Sequence, residues 1–159
     1  MSSLLSSLER ALEPVLKLID GWGLLALRLW LGQEFVLAGW TKLSSGLTAP
    51  EWFAGLNYPF PVSLLSPDLN WLFAGAGEVV LGGLLVVGLL TRLSSIGLLF
   101  ITWVAVYTVH FDLGWAGWNQ IDSDEGLGFK VPLIMAVMLV ALVTQGAGRL
   151  SVDALRKHP

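Results

Sequence analysis

Cysteine is absent from this sequence, which excludes disulfides, thiolate metal sites and intrinsic thiol redox chemistry. Histidine is scarce: there are two, His110 and the penultimate His158. That spacing speaks against a haem held by two histidines inside a membrane. Charge is scarce as well, at 13% of residues, against about 25% in soluble domains. The net charge is −3 and no basic cluster stands out, so nucleic acid is not an expected partner. Copper(I) favours soft sulfur ligands, and here Met135 and Met138 lie together in one apolar stretch with no obvious third sulfur.

What the sequence has instead is apolar residue, 55% of the chain. The length suits one domain. Residues 1–20 carry Glu9, Arg10, Glu13, Lys17 and Asp20 and have no continuous apolar core, so they do not read as a signal peptide. Leu5, Leu8, Leu12, Val15 and Ile19 recur at helical spacing, Ser6 and Glu9 fit a capping box, and Pro14 marks a bend. The expectation is an amphipathic lead-in helix lying on a membrane surface, with a solvated helix as the alternative.

Four stretches follow that suit membrane spans, at about 22–43, 71–90, 93–110 and 129–144. They predict an all-α membrane protein, a four-transmembrane-helix bundle over 21–148 with a tail at 149–159. Between the first two spans, Pro50, Pro59, Pro61 and Pro67 accompany Trp52, Phe53, Tyr58 and Phe60. That composition predicts an ordered loop at the interface, where aromatic rings are favoured, with a short helix starting at Pro50. The very short Thr91-Arg92 link predicts an antiparallel hairpin of the second and third spans. Gly75, Gly77, Gly82, Gly83 and Gly88 make one side of the second span small, which suits close helix contact. Gly146 and Gly148 mark the end of the last span. Arg10, Lys17, Arg92, Arg149, Arg156 and Lys157 would lie on one side and only Lys42 and Lys130 on the other. This bias predicts cytoplasmic N- and C-termini.

Ionisable groups inside a membrane are costly and are functional candidates for that reason. Arg28, Glu34 and Glu78 qualify. Glu34 lies about 12 Å below the outer interface and Glu78 about 10 Å below it at helical rise, so the two carboxyls are expected at one depth. His110 ends the third span and Tyr107 lies one turn deeper. The expected site is a polar pocket in the outer half of the bundle, made by Arg28, Glu34, Glu78, Tyr107, His110 and Asp112. Structural roles compete with this. Glu34 would simply hydrogen-bond a neighbouring helix, Glu78 would pair with Arg28, and His110 would be an interfacial hydrogen-bonder. No cofactor motif is evident. A quinone needs apolar walls and one or two hydrogen-bonding groups, which this pocket offers. For a metal ion, His110 with Glu78 are the best candidates.

Certain residues also carry a resemblance. Leu27-Arg28-Leu29-Trp30-Leu31-Gly32, Phe35, Ala38-Gly39-Trp40 and Lys42-Leu43 resemble the opening motif of the DoxX family. Gly77-Glu78-Val79-Val80-Leu81-Gly82-Gly83 with Gly88-Leu89-Leu90-Thr91-Arg92 resembles its second motif, and the stretch from Gly146 to Asp153 resembles its ending. The likeness covers about residues 22–155. Val109-His110-Phe111-Asp112-Leu113-Gly114-Trp115 is similar to the branch called HvfX, associated with copper-binding ribosomal peptides and metal stress. The resemblance implies a multi-pass protein of the bacterial inner membrane with a four-helix fold, acting in a redox or metal-stress system. Its partners would be the lipid bilayer and either a soluble or membrane redox protein or a metal-binding peptide system. A quinone-coupled oxidoreductase subunit and a small-molecule or ion transporter are the alternatives, so catalysis stays an open question at this level.

Overall fold

The computed structural model describes residues 12–156, and these are mostly helical. The capping box expected at Ser6 and Glu9 lies outside them. Residues 12–18 are helical, with Lys17 Nζ 2.7 Å from Glu13 one turn away. The main elements are α1 (Trp22–Ser44), a short α2 (Glu51–Ala54), α3 (Pro67–Val87), α4 (Thr91–Val109), α5 (Lys130–Gln145) and a short α6 (Val152–Leu155). Pro50 caps α2, at the place where the sequence predicts a short helix. A 3-10 turn (Gly114–Asn119) and a small hairpin, β1 (Asp122–Ser123) paired antiparallel to β2 (Gly126–Leu127), occupy the α4–α5 connection.

Two helices, α3 and α4, are long and apolar enough to cross a membrane. The 23 residues of α1 are long enough, but Arg28, Glu34 and Lys42 interrupt them. The 16 residues of α5 reach roughly 24 Å, short of the ~30 Å of a typical hydrocarbon core.

Helix boundaries differ from the sequence expectation where a cap decides them. α3 begins at Pro67 rather than near Trp71. Ser66 accepts from the Leu69 N–H, and Pro67 fits the first turn, where its missing donor costs nothing. The helix ends at Val87 because Gly88 adopts φ 70°, a left-handed conformation that suits glycine. α4 begins at Thr91, two residues early. Its first amides are held from far along the chain: Asp153 accepts from the Leu90 N–H at 2.9 Å and the Thr91 N–H at 3.0 Å.

α1 lies antiparallel on α3, and glycines let the backbones approach. A Cβ added to Gly39 would sit 2.5 Å from the Gly75 carbonyl oxygen, and one on Gly32 would sit 2.8 Å from the Gly82 oxygen. Between lipid-facing helices there is no hydrophobic gain from association, so packing of this kind carries much of the stability. α4 packs on α3, and α5 packs on α4 and reaches back to α1. Leu31, Phe35, Leu85, Leu98, Leu139 and Leu142 form the core they share.

The charge deepest in the bundle is Arg28, 1% exposed. It does not pair with Glu78, which corrects one of the structural readings above. Its Nη1 donates to the Leu85 and Val86 carbonyls, both at 3.2 Å, and its Nη2 donates to Leu150 O. Carbonyls at the end of a helix lack partners within it, so a guanidinium satisfies them while solvating its own charge. The tail is thereby tied under the bundle.

Two outcomes test this packing. Gly39→Ala is expected to destabilise the protein by about 1–3 kcal/mol through overpacking, read as a lower thermal midpoint in detergent. Gly83→Ala, where a Cβ would meet nothing within 4 Å, is expected to change stability by less than about 0.5 kcal/mol.

Asp153 gives a pH test. Burial pushes its carboxyl up, but the Thr91 and Leu90 amides and the Arg156 charge outweigh this and hold it below its ordinary 3.8. A carboxyl depressed on folding contributes stability above its unfolded value and loses it as pH falls through the folded one. Asp153→Ala is expected to cost about 1 kcal/mol at neutral pH. The gap between variant and wild type should close as the pH drops below 3.8.

Candidate functional site

The glycine seam between α1 and α3 sets the geometry of the site. One turn beyond Gly39, Lys42 leaves α1 toward Glu78, which leaves α3 one turn below Gly75. Because Gly75 has no side chain, the Lys42 stem passes close over it: a Cβ there would lie 3.3 Å from Lys42 Cβ. The ammonium then meets Glu78 at 2.7 Å and 3.0 Å from the two carboxylate oxygens. Glu78 is 6% exposed, so this is a largely buried ion pair. Buried pairs of this kind need good geometry to offset the loss of water, and both oxygens being engaged supplies it.

Beside the pair lies a cavity of about 590 Å³. α4 closes one side with Gly97, Phe100, Ile101, Val104 and Thr108, and His110 stands just past the end of that helix. The α1–α3 connection forms the cover, with Trp52, Phe53, Tyr58, Val62 and Leu65. This loop is pinned in place. Phe53 packs edge-on against Trp71 at 4.8 Å between ring centroids, and Trp52 does so at 6.1 Å. Trp71 Nε1 donates to Gly46 O at 3.1 Å, and Tyr58 donates to Phe53 O at 2.6 Å. Burial pushes the Tyr58 hydroxyl up to about 12, so it stays a donor at neutral pH.

Asn70 also lines the cavity and is 4% exposed. Its Nδ2 donates to Val62 O at 3.2 Å, which fixes the amide's orientation. The Oδ1 that results is buried and has no partner among the described residues. An acceptor left in that state costs stability unless something donates to it. The cavity therefore combines apolar and aromatic walls with an ion pair, an imidazole, a threonine hydroxyl and an unpartnered amide oxygen.

Of the residues singled out in the sequence, the structure brings Glu78 and His110 to this cavity. It does not bring the other four. Arg28 is at the opposite end of α3, against Leu85 and Val86. Glu34 lies about 80° round the helix from Lys42, and is not a lining residue. Tyr107 is 53% exposed and packs against Trp103 instead, at 6.2 Å. Asp112 accepts from the Leu127 N–H at 3.2 Å and fastens the small hairpin. Equal depth was expected to put Glu34 and Glu78 together, but depth says nothing about which face of a helix a residue occupies.

Lys42 and Asn70 are the site residues that sequence reasoning missed. Lys42 counted only as an interfacial charge, yet it follows Gly39 by three residues, on the face that the small residues mark. Asn70 falls in the loop when the second span is counted from Trp71, but the Ser66-Pro67 start of α3 puts it in the first turn of the helix. Among the described residues, no group of three histidine, aspartate or glutamate side chains comes together to hold a metal. A metal at Glu78 and His110 would have to displace the Lys42 ammonium from both carboxylate oxygens.

The pair is testable by a double-mutant cycle. Lys42→Met alone should destabilise the protein by about 3–5 kcal/mol, because it strands a buried carboxylate. Lys42→Met combined with Glu78→Gln should recover most of that loss in thermal unfolding. A loss in the double variant equal to the sum of the Lys42→Met and Glu78→Gln losses would show that the pair contributes nothing.

Comparison with known proteins adds three findings. A family model described as DoxX matches residues 23–111. The chain is 40% identical over 140 residues to a protein of Haemophilus influenzae described as uncharacterized, an alignment spanning 87% of this chain and 85% of that one. No solved structure matches the chain.

Proposed function

The chain belongs to the DoxX family, and on that premise we propose that it is a multi-pass inner-membrane component of a redox system whose cavity binds a quinone-type ligand. One observation carries this: polar groups are confined to a few positions of a cavity otherwise walled by aromatic and aliphatic side chains. A quinone head is a flat apolar ring with oxygens at opposite edges, so it needs such walls and a few groups at fixed points. Lys42 and His110 can donate to a carbonyl oxygen of the ligand. Glu78 and His110 can exchange a proton as a quinone is reduced or a quinol oxidised. The electrons would come from or pass to a partner protein, with quinone taking up two electrons and two protons to become the quinol.

In this reading α1 and α5 cross beside α3 and α4, making four spans. Shielding by neighbours lets α1 keep Arg28 and Lys42, since both are paired inside the bundle. The lysine and arginine bias supports cytoplasmic termini and, with them, a cavity in the outer half. A metal-stress role like that of the HvfX branch is the second reading, favoured by the His110-Phe111-Asp112-Leu113 stretch.

The test is titration of the purified full chain with a short-tailed quinone, followed by tryptophan fluorescence, since Trp52 lines the cavity. Glu78→Gln, His110→Ala and Asn70→Ala are each expected to weaken binding by about tenfold, the equivalent of about 1.4 kcal/mol. Tyr107→Phe and Asp112→Asn should leave it unchanged. Unchanged quinone binding in both Glu78→Gln and His110→Ala rejects the site. Saturable copper or zinc binding that Glu78→Gln abolishes, without any quinone binding, would favour the metal reading.

A further inference from the structure

At the opposite end of the bundle, where the described termini meet, lies a second cavity of about 710 Å³. It opens between the start of α4, the end of α5 and the tail, and nothing in the quinone reading uses it. Arg92, Arg149 and Arg156 line it, with Asp153 as the one carboxylate. Three cations against one anion leave a positive excess, and the anion is already engaged. Asp153 accepts from the Leu90 and Thr91 amides, one on each oxygen.

The arginines are held in ways that leave charge facing the cavity. Arg92 Nη2 donates to the Thr144 carbonyl at 3.1 Å, a neutral partner that orients the guanidinium without cancelling it. Arg149 pairs with Asp20 at 3.2 Å, with side chains 71% and 60% exposed. An ion pair so open to solvent contributes little and yields readily to a competing anion. Two more lining residues give the cavity an apolar edge: Leu90 is 48% exposed and Leu93 is 63% exposed. They stand where the apolar shaft of α4 begins.

A basic hollow bordered by exposed leucines at the end of a membrane helix has two complementary parts. Guanidinium groups match phosphate oxygens in geometry and charge, and the leucines match acyl chains. We infer that this cavity binds the headgroup of an anionic phospholipid, with the phosphate among Arg92, Arg149 and Arg156 and the upper acyl chain along Leu90 and Leu93. The lipid would brace the turn between α3 and α4 against the docked tail, whose Asp153 N–H donates to Gly88 O at 2.9 Å. A free phosphate would satisfy the arginines but would leave the leucines uncovered.

The experiment uses the full chain in uncharged detergent, stripped of lipid. Phosphatidylglycerol, phosphatidylcholine and inorganic phosphate are added separately, and thermal midpoints and retained lipid by native mass spectrometry are recorded. Phosphatidylglycerol should raise the midpoint and remain bound, and phosphatidylcholine should do neither. Arg156→Gln and Arg92→Gln should each weaken phosphatidylglycerol binding by about fivefold. Among the described residues, the Arg156 side chain makes no hydrogen bond to the bundle and acts on Asp153 only through its charge, so Arg156→Gln keeps the test valid if Arg92→Gln misfolds. Lys17→Gln, a charge change outside the cavity, should have no effect. Equal effects of the two lipids, or unchanged binding in Arg156→Gln, would overturn the inference. So would an equal rise in midpoint with inorganic phosphate alone, which would make the site one for free anion.

Discussion

The contact on which the rest depends is the backbone approach of α1 to α3. At Gly39 and Gly75, and again at Gly32 and Gly82, the helices come closer than any side chain would allow. That closeness fixes the register of the two helices. The register then decides which side chains face each other: Lys42 meets Glu78 at one end, and Arg28 meets the last carbonyls of α3 at the other. Neither charge could stay buried if the register slipped, because an unpaired ion in a low-dielectric interior is too costly. The glycines permit the contact, and the charges penalise every other alignment.

The two ends of the bundle use polar groups differently. At the end with the termini, the most buried charge and the capping carboxylate are consumed by structure, while Arg92, Arg149 and Arg156 stand around the second cavity. Arg28 holds Leu85, Val86 and Leu150, and Asp153 caps the start of α4. At the other end, polar groups remain around an open cavity, and one of them, Asn70 Oδ1, lacks any partner among the described residues. Arg28 Nε, Thr91 Oγ1 and Ser94 Oγ are also buried without partners among the described residues, but of these atoms Asn70 Oδ1 is the one beside this cavity, where a ligand could donate to it.

The cover over that cavity shows how loop sequence becomes site architecture. The α1–α3 connection carries aromatic residues that suit a membrane interface, but anchoring is only part of their role. Trp52 and Phe53 pack on Trp71 of α3, which places Phe53 and Tyr58 over the cavity. Hydrogen bonds from Trp71, Tyr58 and Asn70 then hold the loop backbone down. A ligand entering beneath this cover would meet a preformed surface, so little ordering cost would accompany binding.

The sequence by itself determined the helical class, the run of apolar stretches, the hairpin of α3 and α4, and the small-residue face of α3. Those features follow from local periodicity and residue size, which are readable one segment at a time. It also marked Glu78 and His110, because an ionisable residue in an apolar stretch is conspicuous whatever surrounds it. The partner of each charge was decided only by tertiary structure. Arg28 turned to carbonyls and not to Glu78, Lys42 took the carboxylate, Glu34 fell on another face, and Asp153 capped a helix more than sixty residues earlier in the chain. Depth along a helix can be counted from a sequence, but the rotation of one helix against its neighbour is set by how their surfaces fit.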